Sequence, residues 1–127
     1  MKKITLYLTV FILVSFISQQ FSEKNLIGKW KIVAVKNSVG SSIGAEAFSG
    51  EIFTYKEDYT IIHFNPQNPL NKEQIGKWEI EKNSIYHYDN GQKKKVFGKI
   101  IKLNDKEFIV EQTNVKLITT IFYEKIK

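Results

Sequence analysis

The sequence predicts an all-β fold, an antiparallel up-and-down barrel of about eight strands, on three observations. Most of the chain beyond residue 22 falls into short runs rich in Ile, Val, Tyr, Phe and Thr, which suit a pleated, half-buried surface. Turn residues separate the runs so tightly that consecutive strands must pair as antiparallel neighbours. A meander of this kind has two unpaired edges, and closure removes both. About eight strands then leave room for side chains or for one small ligand.

Taken in order, the strands fall near 28–36, 51–56, 59–65, 73–80, 84–88, 95–103, 107–112 and 115–125. The tight connections are Lys56-Glu57-Asp58, Glu81-Lys82-Asn83, Asp89-Asn90-Gly91, Asn104-Asp105-Lys106 and Thr113-Asn114. Asn90-Gly91 is the strongest hairpin signal, because both residues tolerate the positive φ of a type I′ turn. Two connections are longer. Residues 37–50 are Gly- and Ser-rich with a helical hint at Ala45-Glu46-Ala47-Phe48, and 65–72 holds both prolines, which excludes a central strand.

Alternation along each strand assigns the faces. Trp30, Ile32 and Ala34 share one, as do Trp78 and Ile80. On the last strand Val115, Leu117, Thr119, Ile121 and Tyr123 form one row, with Ile118 and Phe122 opposite. Glu51, Glu57, Asp58, Glu79, Glu81 and Glu107 alternate with lysines and read as solvated outer-face charges. Lys93-Lys94-Lys95 reads as a solvated hairpin end.

The N-terminus predicts export. Lys2 and Lys3 precede a fourteen-residue, largely apolar run from Ile4 to Ile17, the pattern of a secretory signal. The run is shorter than the roughly 18 residues a membrane-spanning helix needs. Ser18-Gln19-Gln20-Phe21-Ser22 offers small and polar residues for cleavage. The expected division is a signal peptide at 1–22 and one barrel domain at 23–127, secreted or periplasmic, with no stable membrane insertion after cleavage.

Composition narrows the function classes. There is no cysteine, so a lipid-anchored N-terminus, a disulfide framework and thiolate metal sites are all excluded. The formal charge of +6 falls to +4 without Lys2 and Lys3, and all of the positive charge is lysine. Nucleic-acid readers rely on arginine for bidentate contacts, so no nucleic-acid partner is expected.

Leu26-Ile27-Gly28-Lys29-Trp30-Lys31-Ile32, just after an export signal, resembles the opening G-x-W strand of the lipocalin/calycin superfamily. Gly76-Lys77-Trp78-Glu79-Ile80 and the segment from Ile100 to Phe108 are similar to the small bacterial lipocalin-like domains. The resemblance implies that Trp30 plugs one end of the barrel, with Trp78 as a second structural tryptophan. It also implies a cationic cover for Trp30 from the last strand; arginine fills that role in the family, and with no arginine in the chain Lys125 or another lysine has to serve. The closing Thr119-Thr120-Ile121-Phe122-Tyr123 is similar to the last strand of fatty-acid-binding proteins, but Ile121 occupies the position of their carboxylate-holding arginine.

Little in the chain points to catalysis. His63 and His87 are the two histidines and lack metal-ligand spacing; no G-x-S-x-G elbow or glycine-rich phosphate loop occurs. No metal or cofactor is expected. Tyrosines pair an apolar face with a polar tip, the lining a small-molecule cavity uses. The candidate ligand-binding residues are Tyr55, His63, Tyr88 and Tyr123. The expected function is an exported, non-catalytic binder of a small apolar ligand. The alternative is a protein-interaction or inhibitor module of the cell envelope, with a protein partner. An open cavity above ~300 Å³ lined by tyrosines favours the first, a packed interior with an exposed apolar patch on the 37–50 loop the second. Convergence of His63 or His87 with a carboxylate in a cleft would instead point to an enzyme.

Overall fold

The computed structural model describes residues 21–38, 50–67, 70, 72–115 and 117–127. The signal segment up to residue 20 and the helical hint at Ala45–Phe48 lie outside the described residues. A short helix, α1 (Glu23–Leu26), leads into eight strands: β1 (Gly28–Asn37), β2 (Ile52–Tyr55), β3 (Thr60–Phe64), β4 (Gln74–Glu81), β5 (Ser84–Tyr88), β6 (Val96–Leu103), β7 (Glu107–Thr113) and β8 (Ile118–Ile126). Each strand pairs antiparallel with the next, and β8 closes on β1, so the barrel has no free edge. This is the architecture expected from the turn spacing.

One end of the barrel is filled. Trp30 and Trp78, from the two Gly-Lys-Trp segments, are 0% and 1% exposed. Each indole N–H donates to a backbone carbonyl, Trp30 to Leu26 at 2.7 Å and Trp78 to Lys56 at 3.0 Å, so neither buried donor is left unsatisfied. Leu26 is itself fully buried, which makes α1 part of the plug. Phe108 tilts against Trp30 and meets Tyr55 edge-on, and Tyr55 is edge-on to Trp78. The Lys125 ammonium lies 5.3 Å from the Trp30 ring centroid, the cation cover that the family resemblance implied. Gly28 has φ +135°, and a Cβ there would come within 2.8 Å of Lys125 Cε; glycine lets the lysine stem cross.

Bulges correct the simple alternation. The β1–β8 register shifts between Ile32 and Ala34, so the inward residue after Ile32 is Val35 rather than Ala34. The last strand begins at Ile118, and Val115 and Leu117, expected as its first residues, are exposed. Thr119, Ile121 and Tyr123 share one row, as expected, and that row faces inward. The Asn90-Gly91 turn also differs. Gly91 has φ +83° and Asn90 has no positive φ, while Gln92 N–H donates to Asp89 C=O at 3.0 Å. That is the pattern of a type II turn inside a longer connection, not a two-residue type I′ hairpin. Lys94 in the same connection is paired, reaching Glu81 at 2.7 Å and lying over the Tyr86 ring.

Candidate ligand-binding cavity

The inward side chains are large at the plugged end and smaller or polar toward the other. The space left between them is a cavity of about 490 Å³, above the ~300 Å³ at which small-ligand sites begin. Its apolar wall comes from Ile32, Val35, Phe53, Ile61, Phe97 and Ile121. Its rim includes Gln74, Ile75, Asp89, Gln92 and Lys95, near the β3–β4 and β5–β6 connections.

A polar cluster sits within this wall. Glu51, immediately before β2, shares the inward parity of Phe53 and Tyr55, so its carboxylate enters the barrel and is 7% exposed. It meets the His63 imidazole, Oε1 to Nε2, and the same imidazole stacks on Phe53 at 4.4 Å with 4° between the rings. The expectation of an outer-face, solvated Glu51 is therefore corrected: its parity with Phe53 and Tyr55 places it inside. His87 has the parity of Ile85 on β5 and likewise faces the cavity. Its ring stacks on Phe97 at 4.1 Å, and its Nε2 shares a 2.9 Å hydrogen bond with the Tyr55 hydroxyl.

The electrostatics follow from burial. Desolvation, then the neighbouring His63, lowers the His87 pKa from 6.5 to about 3, which makes it a neutral imidazole at pH 7. Burial, then Tyr123, pushes the Tyr55 phenol well above its usual range. Burial, then the Glu51 charge, does the same to Tyr123. Both tyrosines stay protonated and neutral.

The predicted binding residues fall into two sets. His63 and Tyr88 border the cavity, although the Tyr88 hydroxyl donates to Glu79 at 3.2 Å. Tyr55 and Tyr123 are buried beside it, packed among Phe53, Trp78 and Phe108. The Tyr123 hydroxyl is buried with no hydrogen-bond partner among the described residues. Glu51 and His87 were missed as candidates, and both were recoverable from alternation with their neighbours Phe53 and Ile85. Among the described residues, no three His, Asp or Glu side chains come together as a metal site requires.

A closed eight-stranded meander, plugged by a tryptophan at one end and hollow toward the other, defines a small-ligand-binding barrel. The lipocalin-like domain family matches residues 26–110, two-thirds of the chain, and the chain belongs to that family. No curated protein and no solved structure matches it. Barrels of this family in general bind small ligands and are in general not catalysts.

Proposed function

We propose that this protein is an exported, non-catalytic carrier that holds a small apolar ligand in its barrel cavity. The observation that supports this best is the 490 Å³ cavity walled by Ile32, Val35, Phe53, Ile61, Phe97 and Ile121. Apolar area removed from water there contributes about 25 cal/mol per Å². The chain has no arginine to clamp a carboxylate. A neutral decan-1-ol is therefore expected to bind at least as tightly as decanoate at pH 7, read by calorimetric titration. Decanoate binding ten or more times tighter would contradict this reading of the walls.

Two observations bear on other readings. Val115 and Leu70 are 97% and 70% exposed near the hollow end, as an interaction module would need, and a protein partner there is the alternative function. The His63–Glu51 pair is the histidine–carboxylate convergence an acid–base catalyst uses. Its simpler role is mutual: a buried carboxylate is costly unless a hydrogen-bonding partner meets it, and His63 is that partner.

Export rests on Lys2, Lys3 and the apolar run that follows. N-terminal sequencing of protein from its native host is expected to begin between Gln19 and Glu23, in the soluble fraction. An intact Met1 in the membrane fraction would contradict export with cleavage.

A further inference from the structure

Among the described residues, Glu51 is the one charged side chain that is buried, and it lies inside the cavity rather than in the plugged end. The core has no structural need for it there. Burying an ionised carboxylate costs several kcal/mol unless positive charge or good hydrogen bonds meet it, and an apolar residue would serve packing better. The chain as a whole carries +6, yet the cavity lining holds two carboxylates, Glu51 and Asp89, against one ammonium, Lys95. Asp89 and Lys95 stand at the two ends of the β5–β6 connection, at the rim. Glu51 is deeper and has no lysine beside it in the lining. The other titratable groups around it are His63 from β3, His87 and Tyr88 from β5, Tyr55 from β2 and Tyr123 from β8.

The surroundings of Glu51 suit a cation. Phe53 and Phe97 line the same space, each with one ring face stacked on an imidazole, Phe53 on His63 and Phe97 on His87, so the carboxylate is the group that meets a cation there. The Tyr123 hydroxyl lies behind this lining, buried and close enough to feel the Glu51 charge. Ile32, Val35, Ile61 and Ile121 then line the path for an alkyl chain.

Resting on the reading of the cavity as a ligand site, we infer that Glu51 is a headgroup receptor and that the ligand is an amphiphile with a cationic amine head and an apolar tail. The carboxylate balances the ammonium charge, and the tail fills the apolar wall. His63 holds Glu51 in position whether or not ligand is present.

The experiment is calorimetric titration of the full chain, at pH 7, with decylamine, decan-1-ol and N-decylacetamide. Decylamine is expected to bind at least about tenfold more tightly than the other two, because an alkylammonium near pKa 10 is fully charged at this pH. Glu51→Gln keeps the side-chain shape and is expected to bring decylamine to within about twofold of decan-1-ol, both measured on that variant. Equal binding of the amine and the alcohol by the unmodified protein overturns the inference while leaving the ligand cavity intact. An amine advantage that survives Glu51→Gln also overturns it, placing the cation site elsewhere. Failure of all three probes to bind overturns the cavity reading and this inference together. If Glu51→Gln does not fold, the comparison of decylamine with its uncharged acetamide in the unmodified protein decides the question alone.

Discussion

Replacing Trp30 with alanine is expected to cost about 3–5 kcal/mol, a large share of the roughly 5–15 kcal/mol that holds a domain of this size together. The indole is 0% exposed and fills the plugged end against Phe108 and Leu26. Truncation removes three contributions at once. The buried apolar area is lost and a cavity remains where closed strands cannot collapse. The Leu26 carbonyl loses the 2.7 Å donor that ties α1 to the barrel. The Lys125 ammonium loses the ring face beneath it. Urea unfolding at pH 7.5 measures the sum, and a loss below about 1 kcal/mol would contradict the plug.

Acidification is expected to destabilise the protein through His87. An unfolded histidine titrates near 6.5, whereas the folded imidazole is lowered to about 3. Between those values the unfolded chain binds a proton that the folded chain refuses. Stability is therefore complete above pH 6.5 and is lost as pH falls toward 3. At about 1.4 kcal/mol per unit, at most about 2 kcal/mol is gone by pH 5, since the ring at the cavity wall keeps some contact with water. The groups facing His87 are Tyr55, which stays protonated, and His63, with Phe53 and Phe97 supplying apolar contact. Urea midpoints at pH 7.5 and 5.0 read the effect. His87→Phe keeps an aromatic ring against Phe97 but leaves the Tyr55 hydroxyl unpaired. That variant is expected to be less stable at pH 7.5 yet to lose less on acidification. An unchanged pH dependence would move the acid-sensitive group elsewhere.

The strand order, the antiparallel pairing and the two structural tryptophans were legible in the sequence. The strand order and pairing rest on short-range chemistry, β-branched and aromatic runs and tight polar turns, whereas the place of Trp30 was implied by the resemblance of its Gly-Lys-Trp opening to the lipocalin family. Every strand falls within three residues of its expected limits. Residues whose direction depends on a bulge were not legible. Val35 replaces Ala34 because one extra residue in β1 resets the pleat, and nothing local to Ile32-Val33-Ala34 marks the insertion. Charge misled at Glu51, where composition argued for solvent and alternation with Phe53 and Tyr55 argued for the interior. The barrel follows alternation, because turning Glu51 outward would expose Phe53 and Tyr55 as well.

The sequence by itself determined the class of fold, since period-two patterning and turn spacing act over a few residues and leave little choice of topology. Only the tertiary structure decided the chemistry of the interior. Glu51 and His63 are twelve positions apart, His87 and Tyr55 thirty-two, and these pairs exist because closure brings their strands together. A side chain's neighbours across a barrel are set by register and bulges, which depend on every strand at once. The hollow end, with its buried carboxylate and neutral imidazole, is a property of the closed sheet, whereas the plugged end was already written in Trp30.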